Sequence, residues 1–470
     1  MTERKYIKDL SEFIGQEVSI SGWVDVRRDQ GKMIFLDFRD VTGIVQGVIL
    51  PASEAMPTGK LLREEFVVEV NGKVNERPEK NRKESILNGN IELEILNINI
   101  LNESVALPFP IGGDTREINE AVRLKYRYLD LRNSRMHKNI ANRFKIQNYI
   151  RQYLQEVGFL EIETPLLSAP TPEGSRSYVV PSRIWQGGFY SLPQSPQQYK
   201  QLLMVGGFEK YFQFARCMRD EDTRGDRQPE FTQLDMEMSF VTEEEVMQLN
   251  EKLLIDIVQK YYPNKKIQEI PFPRISYKDA MEKYGNDRPD IRNDKGDENL
   301  LAFLWVVDFP MFEKTGDDNV DGTGEWTFTH NPFSKPREND FQKFMEKIDV
   351  GNILTTQYDI TLNGLEIGGG SIRNHKSKAL RNTFEIMGYD NDRINNNFGH
   401  MLDALDFGAP PHGGIAWGFD RLIMILENEP NIREVIPFAK TGDGKDLMMN
   451  APADISDKQL KELGINIIKK

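Results

Sequence analysis

The sequence predicts an α+β chain of two domains: a small closed β-barrel, then a larger domain built on an antiparallel sheet flanked by helices. Three observations lead there. Five β-patterned runs crowd into about the first hundred residues. A stretch with two prolines and two adjacent glycines, LPFPIGGDTREINE, interrupts the pattern at residues 107–120. The remainder mixes strongly alternating runs with helical patterns at its two ends and shows no repeated β-α-β winding. At 470 residues the chain has room for about two to four domains, and its 39% apolar content is ample for a large core.

Composition narrows the function classes. Lys and Arg number 60 against 73 Asp and Glu, a net charge of −13, which argues against a nonspecific nucleic-acid coat but not against a nucleic acid at a local basic patch. The longest apolar run, Leu300 to Val307, falls well short of the ~20 residues that cross a bilayer. The start MTERKYIKDL is charged and lacks the apolar segment of a secretory signal. A cytoplasmic protein with no membrane partner is expected. Cys217 is the only cysteine and should be a buried small hydrophobe, while the histidines (His137, His330, His375, His400, His412) show no metal-ligand spacing. Any metal must be held by carboxylates, which makes Mg2+ the natural candidate.

Residues 1–106 carry the barrel, in the runs VSISGWVDV, MIFLDFRDV, GIVQGVIL, EEFVVEVNGKV and IELEILNINIL. The five-stranded closed option is the OB-fold, the oligonucleotide-binding barrel, whose sheet face and loops take single strands. Arg27, Arg28, Phe35 and Gln46 lie on or beside the second and third runs, where guanidinium, ring and amide can hold splayed-out bases. The competing expectation is a core Phe35 with solvated arginines. Residues 107–120 read as a linker and 121–470 as the second domain. Ile140, Phe144, Ile146, Ile150, Tyr153, Leu154 and Val157 predict a helix from about Ser134, ended by Gly158 and followed by the extended FLEIETPLL.

No Walker-type phosphate loop is present, and Gly368-Gly369-Gly370 is not a dinucleotide fingerprint, so arginines would have to hold any nucleotide. The loop RDEDTRGDRQP offers Arg219, Arg224 and Arg227; alone, such a loop is more often merely solvated. The strand after it is more telling. Alternation puts Thr232, Leu234, Met236 and Met238 on one face and Phe231, Gln233, Asp235 and Glu237 on the other, where a ring, an amide and two carboxylates can hold a flat base beside an ammonium group.

In TTQYDITLNGLEIGGGSIR, Asn363-Gly364 predicts a two-residue hairpin turn in which Leu362 faces Leu365 and Thr361 faces Glu366. Asp359 shares the Thr361 face, so Asp359 and Glu366 become diagonal neighbours able to share Mg2+ with phosphate oxygens. The three glycines admit a ligand close to the backbone, and Arg373 follows as a planar clamp suited to a carboxylate. A third segment, APPHGGIAWGFDRLIMILE, runs from a strand into a helix at Gly418, Phe419, Asp420 and Arg421. The Arg421 guanidinium can lie over an adenine or reach phosphates; seen alone, it is more often a structural salt-bridge residue.

In this order, GFLEIETP, then FARCMRDED with RQPEFTQLD, then GIAWGFDRL resemble the three signature motifs of class II aminoacyl-tRNA synthetases. The likeness to bacterial-type aspartyl-tRNA synthetases covers nearly the whole chain, through GWVDVRRDQG, IFLDFRD, the join RLKYRYLDLR, TPEGSRSY, LPQSPQQYKQLLM and GLEIGGGSIR. One departure is large: a sizeable inserted domain of such enzymes is replaced here by a short connector near residues 290–302.

The resemblance implies that ATP activates L-aspartate to aspartyl-adenylate, which a homodimer transfers to the 3′ end of tRNA(Asp). It puts aspartate among Glu173, Gln197, Lys200, Asp235, His330 and Arg373. It puts ATP among Arg219, Asp220, Glu221, Gln228, Phe231, Glu366, Gly418, Phe419, Asp420 and Arg421, with Arg219, Glu221 and Arg421 catalytic and Mg2+ on Asp359 and Glu366. The anticodon would meet Arg28, Phe35, Gln46 and Glu92. Charge logic agrees, because Asp235 and Glu173 suit an ammonium while Lys200 and Arg373 can hold the side-chain carboxylate. The dimer would form on the first motif, where Phe159, Ile162 and Leu166 need a cover. Two rivals are an asparaginyl-tRNA synthetase, whose neutral side-chain amide gains nothing from two cations, and a non-catalytic RNA-binding relative, which needs none of Arg219, Glu221, Glu366 and Arg421.

Overall fold

Apolar residues that recur at alternate positions along its strands close the first unit into a barrel. The structure, a computed structural model, describes residues 3–83, 86–170, 176–316 and 324–468, and its contacts divide the chain into two units, 1–110 and 111–470. In the first, β1 (Glu17–Gln30), β2 (Met33–Asp40), β3 (Gly43–Ile49), β4 (Val67–Glu76) and β5 (Ile91–Asn102) form a closed barrel in the order β1-β2-β3-β5-β4. Its core includes Val24, Leu36, Phe38, Val70 and Leu93. Along β2 buried and half-buried positions alternate, and Phe35 falls in the half-buried set, outside the core. Arg28 pairs with Phe35 and Asp37 with Gln46. Gly47 pairs with Leu93 in the parallel neighbour, which sets Glu92 beside Gln46. Arg28, Phe35, Gln46 and Glu92 therefore share one outer face of the barrel, where Arg28 makes a 2.9 Å ion pair with Asp37.

The second unit opens with α1 (Glu120–Lys125), α2 (Arg127–Asp130) and α3 (Ser134–Glu156). The Asn133 side chain caps α3, and Gly158, at φ +87°, supplies the left-handed residue that turns the chain out of it. One eight-stranded sheet follows, built from β6 (Leu160–Glu161), β7 (Lys210–Met218), β8 (Glu230–Ser239), β9 (Arg274–Ser276), β10 (Phe303–Val307), β11 (Gln357–Leu362), β12 (Leu365–Ile372) and β13 (His412–Gly418), in the order β9-β10-β11-β12-β13-β8-β7-β6. The sheet is antiparallel except at its two edge pairs, which are parallel. Between these strands run α4 (Gln197–Val205) and α5 (Glu243–Tyr261), and α6 (Phe419–Leu426) leaves β13 directly.

The helices cover one face. Ile146, Ile150 and Leu154 of α3, Leu253 and Ile257 of α5, and Leu422 and Ile423 of α6 pack in one cluster with Leu234, Met236, Ile360 and Trp417 of the sheet. Each such side chain, removed from water, contributes about 1.5–3 kcal/mol. Phe159 belongs to this cluster, 6.5 Å from Phe212, so it needs no cover from a partner. The exposed large apolar side chains around the first motif are Leu160, Leu166 and Leu167.

The Asn363-Gly364 turn has φ +50° and +86°, the type I′ pattern, and sets Leu362 opposite Leu365 and Thr361 opposite Glu366. Beyond it the register slips by one, so Asp359 lies opposite Gly369. The stretch at 285–299 is a short connector that packs Asp290 against Gly364. Among the described residues no helix is long and apolar enough to cross a membrane.

Candidate active site

A cavity of about 340 Å³ opens on the sheet face opposite the helical core, between α4, the β7–β8 loop, β8, β11, β12 and the corner from β13 into α6. At one end α4 presents Gln197 and Lys200, one turn apart. Lys200 Nζ lies 2.7 Å from Asp235 Oδ1 and 3.3 Å from Glu237 Oε2. Arg373 donates from Nε and Nη2 to the two Glu237 oxygens at 2.9 and 3.0 Å, and from Nη1 to Ser371 Oγ at 2.8 Å. Two cations and two carboxylates cancel, all four buried.

Burial alone would raise the Glu237 carboxyl, but Arg373 and then Lys200 outweigh it and hold it at about 2. Three of the five Arg373 N–H groups are engaged, which leaves one on each Nη as a two-pronged fork. Gln197 Nε2 and Asp235 Oδ2 are buried without a protein partner, and such atoms are costly unless a ligand supplies the bond.

His330 lines the same cavity, its ring edge-on to Phe309 and its Nδ1 4.0 Å from Asp359 Oδ2. Burial lowers its pKa, which favours the neutral ring. A polar chain links the two ends of the site: Ser334 Oγ donates to Ser371 Oγ at 2.9 Å and reaches Gln357 Oε1 at 3.4 Å, and Gln357 Nε2 donates to Asp359 Oδ1 at 2.7 Å. Glu173 lies outside the described residues.

At the other end the Arg219 guanidinium sits over the Phe231 ring at 5.2 Å. Arg421 Nη2 is 3.1 Å from Asp226 Oδ2, and its Nη1 donates to the Glu366 carbonyl. Glu221 accepts from Arg227 at 3.2 Å. The Nε atoms of Arg219 and Arg421 are buried without a protein partner. Gln228 and Gly418 line the cavity, although the Gln228 side-chain oxygen accepts the Lys440 backbone N–H at 2.8 Å.

Two side chains expected at the nucleotide do not reach it. Phe419 is fully buried in the helical core, 5.1 Å from Phe214, because the first residue of α6 turns its ring to the covered face. Asp220 is exposed at the loop edge, its N–H bonded to the Arg176 carbonyl. Asp420 lines the wall but acts as a buttress, accepting the Thr232 N–H at 2.8 Å and pairing with Arg143 at 2.5 Å.

Asp359 and Glu366 both face the cavity. Burial, and then the charge of Glu366, push the Asp359 carboxyl well above its ordinary value. Hard oxygen donors that repel one another fit a divalent cation. Among the described residues no group of three or more His, Cys, Asp or Glu could hold a metal ion, so a cation here would rest on these two carboxylates plus ligand oxygens. The glycines make room for the carboxylates: a Cβ on Gly369 would come within 2.7 Å of Asp359 Oδ1, and one on Gly414 would strike the Met236 carbonyl and the Glu237 carboxylate.

Residues 119–442 match the family described as tRNA synthetases class II (D, K and N), and residues 18–101 match the OB-fold nucleic acid binding domain. The chain belongs to the class II tRNA synthetases. An aspartate–tRNA(Asp/Asn) ligase of Dehalococcoides mccartyi is 38% identical to it over 592 residues, covering 97% of each chain. An aspartate–tRNA ligase of Staphylococcus aureus is 38% identical over 583 residues with the same coverage. Those alignments are longer than the 470 residues of this synthetase, so both relatives hold a stretch that it lacks.

Two solved structures share its fold. Asparaginyl-tRNA synthetase from Pyrococcus horikoshii complexed with asparaginyl-adenylate has a TM-score of 0.74 at 23% identity, covering 94% of this chain and 99% of its own. A putative aspartyl-tRNA synthetase from Leishmania major Friedlin has a TM-score of 0.71 at 21% identity, covering 93% and 94%.

Within this synthetase the cavity gathers Gln197, Lys200, Asp235, His330 and Arg373 at one end, and Arg219, Glu221, Gln228, Phe231, Glu366, Gly418 and Arg421 towards the other. Alternation puts Glu237 on the ligand face of its strand but does not mark it as the partner of Arg373, whereas Ser371, Ser334 and Gln357 escaped sequence reasoning as site residues. For Gln357 a signal existed, since it sits two positions from Asp359 on the same strand face.

Proposed function

We propose that the chain is an aspartate–tRNA ligase that joins L-aspartate to ATP as aspartyl-adenylate and transfers the aspartyl group to tRNA(Asp). The observation that carries this reading is the buried Lys200 and Arg373 end, whose open guanidinium fork matches a carboxylate and offers a neutral amide no acceptor for its NH2. Asp235, with one oxygen unbonded, suits the ammonium group.

No general base is needed. The α-carboxylate of aspartate attacks the α-phosphorus, the new C–O–P bond forms as the bond to the β-phosphate oxygen breaks, and pyrophosphate leaves with the electron pair. Catalysis then reduces to in-line placement and charge neutralisation. Arg219 would meet the α-phosphate, Phe231 and Arg421 the adenine, and Glu221 and Gln228 would orient the nucleotide. Mg2+ on Asp359 and Glu366 would supply positive charge at the phosphates.

The outer barrel face with Arg28, Phe35, Gln46 and Glu92 suits an anticodon. The exposed Leu160, Leu166 and Leu167 support a homodimer formed on the first motif. A tRNA substrate and one buried cysteine support a cytoplasmic location. The test is charging of tRNA(Asp) with labelled aspartate and ATP: acid-precipitable aspartyl-tRNA is expected, and charging with asparagine alone would overturn the reading.

A further inference from the structure

Loop 219–229 brings Arg219, Glu221 and Gln228 to the cavity but is itself only a tight hairpin, closed by reciprocal backbone bonds between Arg224 and Arg227 at 3.2 Å. Its tip is held from outside. The Ile432 N–H donates to the Gly225 carbonyl at 2.9 Å, and Arg433 Nη1 reaches the Arg224 carbonyl at 3.4 Å. Both belong to a single 3-10 turn, Ile432–Glu434, which by itself is a poor anchor.

What fixes that turn is a buried set of charges from the start of the unit. Glu434 is held by Arg123 at 2.7 and 3.0 Å and by Arg135 at 2.9 Å. Glu429 is held by Arg135 at 2.8 Å and by Asn139 at 2.7 Å. Arg127 pairs with Asp130 at 2.6 Å and caps the carbonyls of Ile436 and Pro437, each at 2.9 Å. Three arginines balance three carboxylates, and none of the six lines the cavity. Arg433 joins the two layers, since its Nε also donates to Glu120 of α1 at 2.7 Å. Desolvating six charges adds little stability over apolar packing, whereas directional bonds fix geometry. The contacts at the loop tip say which geometry is fixed.

We propose that the Asn431–Glu434 turn, locked by this charge set, is a fixed jaw that pre-positions loop 219–229 for ATP, with Arg433 as its positioning residue. The inference rests on the reading of that loop as ATP-binding. In ATP–pyrophosphate exchange, Arg433→Ala should raise the KM for ATP about tenfold, as loss of one such contact does. The KM for aspartate, and kcat at saturating ATP, should stay within about twofold of wild type. Arg433→Lys, whose single nitrogen cannot span both Glu120 and the Arg224 carbonyl as Nε and Nη1 do, should fall between.

Limited trypsin digestion gives a readout independent of catalysis: Arg224 and Arg227 are exposed, and cleavage there should quicken in Arg433→Ala and slow again under saturating ATP. An unchanged cleavage rate, or ATP and aspartate KM values that rise together, would overturn the proposal. If wild type showed no aspartate-dependent exchange, the functional reading would fall, and the cleavage rate alone would still decide whether the jaw holds the loop.

Discussion

Replacing Arg373 separates the selectivity of the site from its stability. In Arg373→Leu, Glu237 loses both charge-assisted bonds and keeps only Lys200 at 3.3 Å; breaking a buried pair in this way costs about 3–5 kcal/mol of stability. The informative variant is therefore Arg373→Leu with Glu237→Gln, which removes one charge of each sign and leaves Lys200 paired to Asp235 at 2.7 Å. Aspartate then loses the two remaining N–H groups of the fork. At about 1.5–3 kcal/mol for each hydrogen bond to a charged group, the loss is ~3–6 kcal/mol, or ~10²- to 10⁴-fold in kcat/KM for aspartate. Asparagine, whose single amide oxygen carries no full charge to meet the fork, should lose much less. The assay is ATP–pyrophosphate exchange with each amino acid, run beside urea unfolding to show that the double variant is folded. A folded double variant with the wild-type preference for aspartate would refute the assignment.

Acid should unfold the protein in two linked steps of the same sign. Glu434 and Glu237 are both held at about 2, against an ordinary 4.5, so each contributes ~3 kcal/mol that is fully present above pH 4.5 and lost as pH falls towards 2; Glu434→Gln should flatten the stability profile between pH 4.5 and 2, and an unchanged profile would count against it. In the barrel, Phe35→Ala should raise the KM for tRNA by about tenfold or more, since stacking one base is worth ~1–3 kcal/mol, while leaving tRNA-independent pyrophosphate exchange unchanged; equal losses in both assays would argue against an anticodon face. Light scattering at micromolar concentration should give twice the 54.2 kDa chain mass, and Leu166→Asp with Leu167→Asp should halve it; a wild-type monomer would contradict the dimer.

What could be read from the sequence followed from local periodicity. The two faces of β8, the turn at Asn363-Gly364 and each strand of the barrel are written in a run of fewer than fifteen residues. What could not be read depends on partners far along the chain. Nothing near Arg123 announces Glu434, 311 residues away, and Arg373 gives no hint that Glu237, 136 residues away, already takes two of its five donors. The register slip in β12 adds one residue without any mark in composition, so Asp359 lies opposite Gly369 where the expected register would put Gly368, while Asp359 and Glu366 still face the same cavity. Phe159 is expected to need a cover from a partner and Phe419 to reach ATP, but tertiary packing takes both rings into the core. Its position in the motif between Arg219 and Glu221 places Asp220 at the nucleotide, but the loop turns it outward.

The central claim is that a buried two-cation end selects a carboxylate side chain. ATP–pyrophosphate exchange with Mg2+ and no tRNA, measured with L-aspartate and with L-asparagine at matched concentrations, tests it directly. Exchange with aspartate exceeding that with asparagine by at least about a hundredfold, the equivalent of ~2.7 kcal/mol, is the result expected; exchange with asparagine equal to or above that with aspartate would contradict it.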